Sequence, residues 1–211
     1  MRRSKGFFIA MIVVIGIVIA VVSGLSLQST SMSVKDLESK LSGLEMDIRS
    51  FDEESNVIDH ITGKSVMVER NTTFDTVTDG SSNKDSSVIT ITVGKNRIDH
   101  VGSSLIVAEK GLYDVFDEYT KTVDISNAEK RGVPVINSVV NSFKNVTSGT
   151  KKTLLIRSQN GTPLATYVGD NVSIFSVDIP KSTAFLIDKK VLLVYRCDYT
   201  LYDTELLLDE H

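Results

Sequence analysis

Leu44-Glu45-Met46-Asp47-Ile48-Arg49 is where the reading of the chain turns. Ahead of it, Val34, Leu37, Leu41 and Leu44 recur at intervals of three and four, the period of one helix face. From Leu44 onward the interval drops to two. Leu44, Met46 and Ile48 alternate with Glu45, Asp47 and Arg49. Successive side chains of a strand point to opposite sides of the sheet, so this alternation predicts a half-buried strand. A short helix therefore gives way to β-structure at Leu44. Ser33 with Asp36 can cap that helix and Gly43 can end it. Its apolar stripe is too short for a coiled coil, which needs several heptads. The expectation is a helix packed on its own domain rather than a dimer seam.

Outward from this point, strand patterns are predicted at 57–61, 65–70, 88–93, 97–101 and 104–109, with a glycine turn at Gly63-Lys64. Thr76–Ser87 contains Asp79-Gly80-Ser81-Ser82-Asn83, a polar tip for a hairpin. The middle reads as two helices. Leu112, Val115, Phe116 and Tyr119 follow Gly111 at helical spacing, and a second stripe of Ile136, Val139, Val140 and Phe143 follows Pro134. The last third returns to strands at 153–158, 164–168, 172–177, 184–187 and 191–199. In the final run Leu193, Tyr195, Cys197, Tyr199 and Leu201 are expected to share one face. Cys197 then reads as a small core residue, and as the chain's single cysteine it can form no intrachain disulfide.

Some phrases repeat. Ile48-Arg49-Ser50 returns as Ile156-Arg157-Ser158, and each is followed by a polar turn, an apolar strand and a glycine (Gly63, Gly169). Asn56-Val57-Ile58-Asp59-His60 resembles Asn96-Arg97-Ile98-Asp99-His100. Such echoes suggest a repeated strand-turn-strand unit.

The N-terminus has a different character. Phe7 to Val22 is an unbroken run of apolar residues and glycine, and with Ser23, Gly24 and Leu25 it reaches the length of about 20 that a bilayer core requires. Arg2, Arg3 and Lys5 precede it, which by the positive-inside bias keeps that end cytoplasmic. The run exceeds a signal-peptide core and no Ala-x-Ala site follows it, so an uncleaved anchor is expected. The domain plan is then a basic stub at 1–6, a transmembrane anchor at 7–25, a Ser/Thr-rich linker at 26–33 and an extracytoplasmic domain at 34–211. The whole chain carries −4; without the three cations ahead of the run the remainder carries −7. That acidic balance argues against a nucleic-acid partner, whose phosphates need a Lys/Arg surface. The membrane is the partner that the N-terminal run implies, and an unidentified protein, polymer or lipid partner is expected at the cell surface.

For chemistry, the sharpest constellation is Asp59-His60 with Asp99-His100, which could serve a metal or an acid/base couple. Adjacent strand residues point to opposite faces, so one Asp-His pair cannot serve one site without a bulge. Surface polar residues are the simpler expectation. The acidic loop of Asp75, Asp79, Gly80 and Asp85 lacks the ligand spacing of an EF-hand. No nucleophile elbow, phosphate loop or His-Glu-x-x-His occurs, and no cofactor is implied.

Several stretches carry a resemblance. They include Asn71-Thr72-Thr73-Phe74-Asp75, His100-Val101-Gly102-Ser103-Ser104-Leu105-Ile106, Leu155-Ile156-Arg157-Ser158-Gln159-Asn160-Gly161-Thr162-Pro163-Leu164-Ala165-Thr166 and Val194-Tyr195-Arg196-Cys197-Asp198-Tyr199. Together they resemble a family of uncharacterised, exported or lipoprotein-like proteins of Gram-positive bacteria, catalogued as a domain of unknown function. The resemblance implies a cell-surface location and brings no activity or site residues. This chain departs from the lipoprotein-like members in having no cysteine after the apolar run. Over the hairpins alone, the phrasing is also similar to the tubby-like phospholipid-scramblase group.

The expected fold is α+β, mainly β: a transmembrane helix, then a curled antiparallel sheet or barrel-like meander with two central helices. The expected function is non-catalytic binding at the cell surface, with the loop of Asp79, Gly80, Ser81 and Asn83 as its contact. The alternatives are a metal-assisted envelope hydrolase built on His60 and His100, and a lipid-binding barrel.

Overall fold

The computed structural model describes residues 30–32, 34–64, 66–78, 81–83, 86–117 and 150–208. Among them the first half forms β1 (Thr30–Met32), α1 (Val34–Leu41), β2 (Glu45–Phe51), β3 (Val57–Lys64), β4 (Val66–Arg70), β5 (Thr76–Thr78), β6 (Ser81–Asn83), β7 (Ile89–Val93), β8 (Asn96–His100) and β9 (Ser104–Glu109). The second half forms β10 (Lys152–Arg157), β11 (Pro163–Gly169), β12 (Val172–Val177), β13 (Ser182–Ile187), β14 (Lys190–Tyr195), β15 (Asp198–Asp203) and α2 (Glu205–Leu208). The protein is mainly β, and its described helices are short.

The strands divide among a seven-stranded sheet in the order β1-β12-β13-β14-β9-β2-β3, two three-stranded sheets, β11-β10-β15 and β4-β7-β8, and the small β5-β6 ribbon. The seven-stranded sheet is the middle layer. Met46, Ile48, Leu105, Val107, Leu193 and Tyr195 on one face pack against Leu37 and Leu41 of α1 and Val66, Val68, Ile89 and Ile91 of the β4-β7-β8 sheet. On the opposite face Ile106, Ala108, Phe185, Leu192 and Val194 pack against Leu154, Ile156, Leu164 and Tyr167 of the β11-β10-β15 sheet. This sandwiching explains why β9 and β14 read as continuous apolar runs: both of their faces are covered. Each fully buried Leu, Ile or Val contributes roughly 1.5–3 kcal/mol of transfer free energy.

The α1 stripe behaves as its spacing predicts. Leu37 and Leu41 are buried in the domain's own core, and Gly43 ends the helix at φ +78°. The alternation of β2 also holds over most of its length, with Met46 and Ile48 buried between the less buried Glu45, Asp47 and Arg49; at its end Ser50 and Phe51 are both buried.

Three expectations need correction. Among the described residues no sheet closes or curls into a barrel. The chain instead passes from one sheet to another between β3 and β4, β8 and β9, β11 and β12, and β14 and β15, which divides the strands into layers. Secondly, Gly63-Lys64 is not a turn. Gly63 lies inside β3, and its missing side chain makes room for Val93, whose Cγ1 would sit 2.1 Å from a Cβ there. Gly169 is similarly crowded, by Ile187 at 2.7 Å and Asp188 at 2.8 Å. Thirdly, the run 191–199 is two strands, not one. Arg196 breaks it at φ +50°, and β14 and β15 enter different sheets, so Tyr195 and Tyr199 do not share a face. The apolar run from Phe7 to Val22 and the helix expected from Pro134 lie outside the described residues; of the first central helix, residues 115–117 are helical.

The internal echo has a structural counterpart. The chain follows one plan twice: a hairpin (β2-β3; β10-β11), a passage to another sheet, a three-strand meander (β4-β7-β8; β12-β13-β14), and a strand returning to the first one (β9 beside β2; β15 beside β10). The β5-β6 ribbon is an insertion in the first copy alone. Helical residues follow each copy, at 115–117 and in α2. Ile48-Arg49-Ser50 and Ile156-Arg157-Ser158 fall at corresponding places, each beside a register shift of the hairpin. The second echo does not fit, because β3 and β8 hold different positions in the plan.

Candidate functional site

Strand β2 turns Met46 and Ile48 into one core, so Asp47 and Arg49 project from the other side of the sheet. Edge strand β3 pairs Thr62 with Asp47 and His60 with Arg49, which places all four side chains on one face. The turn after β9, Glu109-Lys110-Gly111-Leu112, forms one rim, and Tyr167 of β11 closes the floor. Together with Ala108 these residues line a cleft of about 230 Å³.

A polar chain runs through it from surface to interior. His60, 57% exposed, holds its Nε2 2.5 Å from Asp47 Oδ1. Asp47 Oδ2 lies 3.6 Å from Arg49 Nε, which is buried and makes no hydrogen bond of its own. Arg49 Nη2 donates to Asp114 Oδ2 at 3.3 Å and to the Tyr167 hydroxyl at 3.4 Å. The guanidinium also stands 5.8 Å above the Phe51 ring. At the inner end Asp114 Oδ1 accepts the backbone N–H groups of Thr166, Phe116 and Asp117. Asp114 thus caps the helical residues that follow it and ties them to β11. Burial pushes its carboxyl above the usual range, while Arg49 and the backbone N–H groups pull it back. Burial also raises the Tyr167 phenol, so the hydroxyl that accepts from Arg49 stays neutral.

At the rim the charges are paired as well. Lys110 Nζ contacts Glu45 Oε1 at 2.6 Å, and that bond holds the Glu45 carboxyl below its usual range. Glu109 faces Lys190 at 3.7 Å and accepts the Val191 N–H. The cleft therefore presents donors and acceptors with little net charge.

The residues singled out from sequence go to separate partners. His60 enters the cleft. Asp59, on the opposite side of β3, accepts from Ser50 Oγ at 2.8 Å. Asp99 accepts from Thr90, Asn71 and Arg97, which holds its carboxyl low. His100, in another sheet, places Nε2 3.0 Å from the Ser103 carbonyl and its ring edge-on to Tyr195 at 5.5 Å. Asp79 and Gly80 lie outside the described residues, and β6 carries Ser81 and Asn83 opposite β5. Among the described residues no three His, Cys, Asp or Glu side chains group to hold a metal ion. Cys197 donates weakly to the carbonyls of Leu105 and Tyr195, and burial pushes its thiol up to about 12, far from a reactive thiolate.

Sequence reasoning missed Asp47, Arg49, Asp114 and Tyr167 as a group. Asp114 alone left a signal, as an acidic residue just ahead of the Val115-Phe116 stripe where a cap belongs.

In class, the molecule is a layered antiparallel β domain with a polar, charge-paired cleft at the edge of its middle sheet. The chain belongs to the family described as Domain of unknown function (DUF5052), whose model matches residues 7–207. No curated protein and no solved structure matches it.

Proposed function

We propose that this is a single-pass, membrane-anchored protein that presents its β domain on the outer face of a bacterial cell membrane, where the domain binds a surface component without catalysis. The observation that carries the reading is the uninterrupted apolar run from Phe7 to Val22 behind Arg2, Arg3 and Lys5. The family match begins at Phe7, so the run lies within the family's extent. Among the described residues no helix is long and apolar enough to cross a membrane, which leaves that run as the candidate span. The cleft favours binding over turnover. Among the described residues His60 is the histidine that lines it, exposed and tied to Asp47, with no nucleophile hydrogen-bonded to it.

The test is protease shaving of intact cells that express the full chain with a C-terminal tag. The tag should be removed by external protease while the protein sediments with membranes after alkaline carbonate washing. Ile15→Arg places a charge mid-span, at a cost of about 2.5–3.5 kcal/mol to insertion, and should release or mislocalise the chain. A mature protein whose mass lacks residues 7–22, or a tag protected in intact cells, would refute the reading.

A further inference from the structure

We propose that the cleft between β2, β3 and the Glu109–Leu112 turn binds one neutral sugar unit of a glycan, an inference that rests on reading the domain as a binding module. The argument begins with the ion pairs. Arg49 is engaged by Asp47 and Asp114, Lys110 by Glu45, and Glu109 by Lys190. An anionic ligand would have to displace a carboxylate from Arg49 or Lys110, and a cationic one would have to displace His60 or Arg49 from Asp47. A hydroxyl group avoids both exchanges. It donates to a carboxylate and accepts from a guanidinium or imidazole at once, so it can sit between paired charges without separating them.

The lining supplies that mixture within one cleft: donors on Arg49 and His60, acceptors on Asp47 and Glu109, and Thr62 able to act as either. Ala108 and Leu112 add a small apolar patch against which the C–H face of a sugar ring can rest. Size limits the guest. The cleft of about 230 Å³ falls short of the ~300 Å³ at which drug-sized pockets begin, which suits one ring and not an extended chain. The exposed His60 at the mouth leaves room for the rest of a polymer to continue into solvent. Among the described residues no exposed aromatic ring lines the cleft to stack on the sugar, so affinity should be weak, on the order of 1 mM.

Saturation-transfer difference NMR tests this on the full-length chain in a phosphocholine detergent, which carries no sugar headgroup. The probes are the tetramer of β-1,4-linked N-acetylglucosamine and maltotetraose, with poly(glycerol phosphate) as an anionic polymer. Transfer should appear on ring protons of at least one neutral tetramer. His60→Ala and Asp47→Asn should each weaken binding about tenfold, and Lys152→Ala, in another sheet, should leave it unchanged. His60→Ala removes an exposed side chain, so loss of folding does not confuse the result. No transfer from either tetramer, or transfer indifferent to both cleft variants, overturns the proposal. Binding of poly(glycerol phosphate) alone overturns the sugar assignment while leaving the binding module standing. The shaving experiment reads the membrane assignment independently of any ligand.

Discussion

Removing the Asp114 carboxylate would leave three backbone N–H groups without their acceptor and the Arg49 guanidinium buried beside one partner fewer. Breaking one side of a buried pair costs about 3–5 kcal/mol, because the surviving charge is left uncompensated. Asp114→Ala should therefore lower unfolding free energy by about that amount in urea titrations. Asp114→Asn should cost clearly less, since its amide oxygen can still accept from Thr166, Phe116 and Asp117. Equal losses for the two variants would mean that the cap and strand tie contribute little. At this scale the site was only partly legible. That Asp47 and Arg49 point away from the core follows from alternation alone. Their meeting with His60 depends on the β2-β3 register, which a shift at Ser50/Phe51 helps to set, and no local pattern announces that shift. Tyr167 arrives from 118 residues beyond Arg49, a contact no spacing rule reaches.

Periodicity located most of the elements, and its failures have one cause. A period of two says that a segment is extended; it does not say in which sheet. At Arg196 the alternation passes through a left-handed residue without breaking step, so two strands of different sheets read as one. At Gly63 a glycine suggests a turn, yet the backbone there is ordinary strand, and the residue is small because Val93 occupies the space. This second case makes a prediction. Gly63→Ala forces the Val93 side chain aside, with an overpacking cost of about 1–3 kcal/mol. In a Val93→Ala background the added methyl has room, and the same change should cost under about 0.5 kcal/mol. A double-mutant cycle by thermal or urea unfolding reads the coupling directly. Additive effects would show that Gly63 is needed for some reason other than the space taken by Val93.

The duplicated plan does not divide the described β domain into two independent halves, because the halves share a sheet. Strand β9 of the first copy pairs with β14 of the second, joining Leu105 to Tyr195 and Val107 to Leu193 at the centre of the middle layer. Both cores span that seam: Val107 with Leu193 on one face, Ile106 with Val194 on the other. Losing either copy would expose one wall of each core, so the two should unfold together. The chain has no tryptophan and six tyrosines, and two buried ones report on different cores, Tyr195 on one and Tyr167 on the other. Tyrosine fluorescence and far-ultraviolet circular dichroism should therefore give coincident urea transitions. Leu193→Ala should cost about 2–5 kcal/mol and shift both probes equally. Hydrogen exchange gives the sharper contrast. If the seam couples the copies, amides of β10 and β2 should open with the same free energy near the global value. If β10, β11 and β15 exchange first while β2 and β9 stay protected, the copies are separable, and the shared sheet is a contact between two folding units rather than the centre of one.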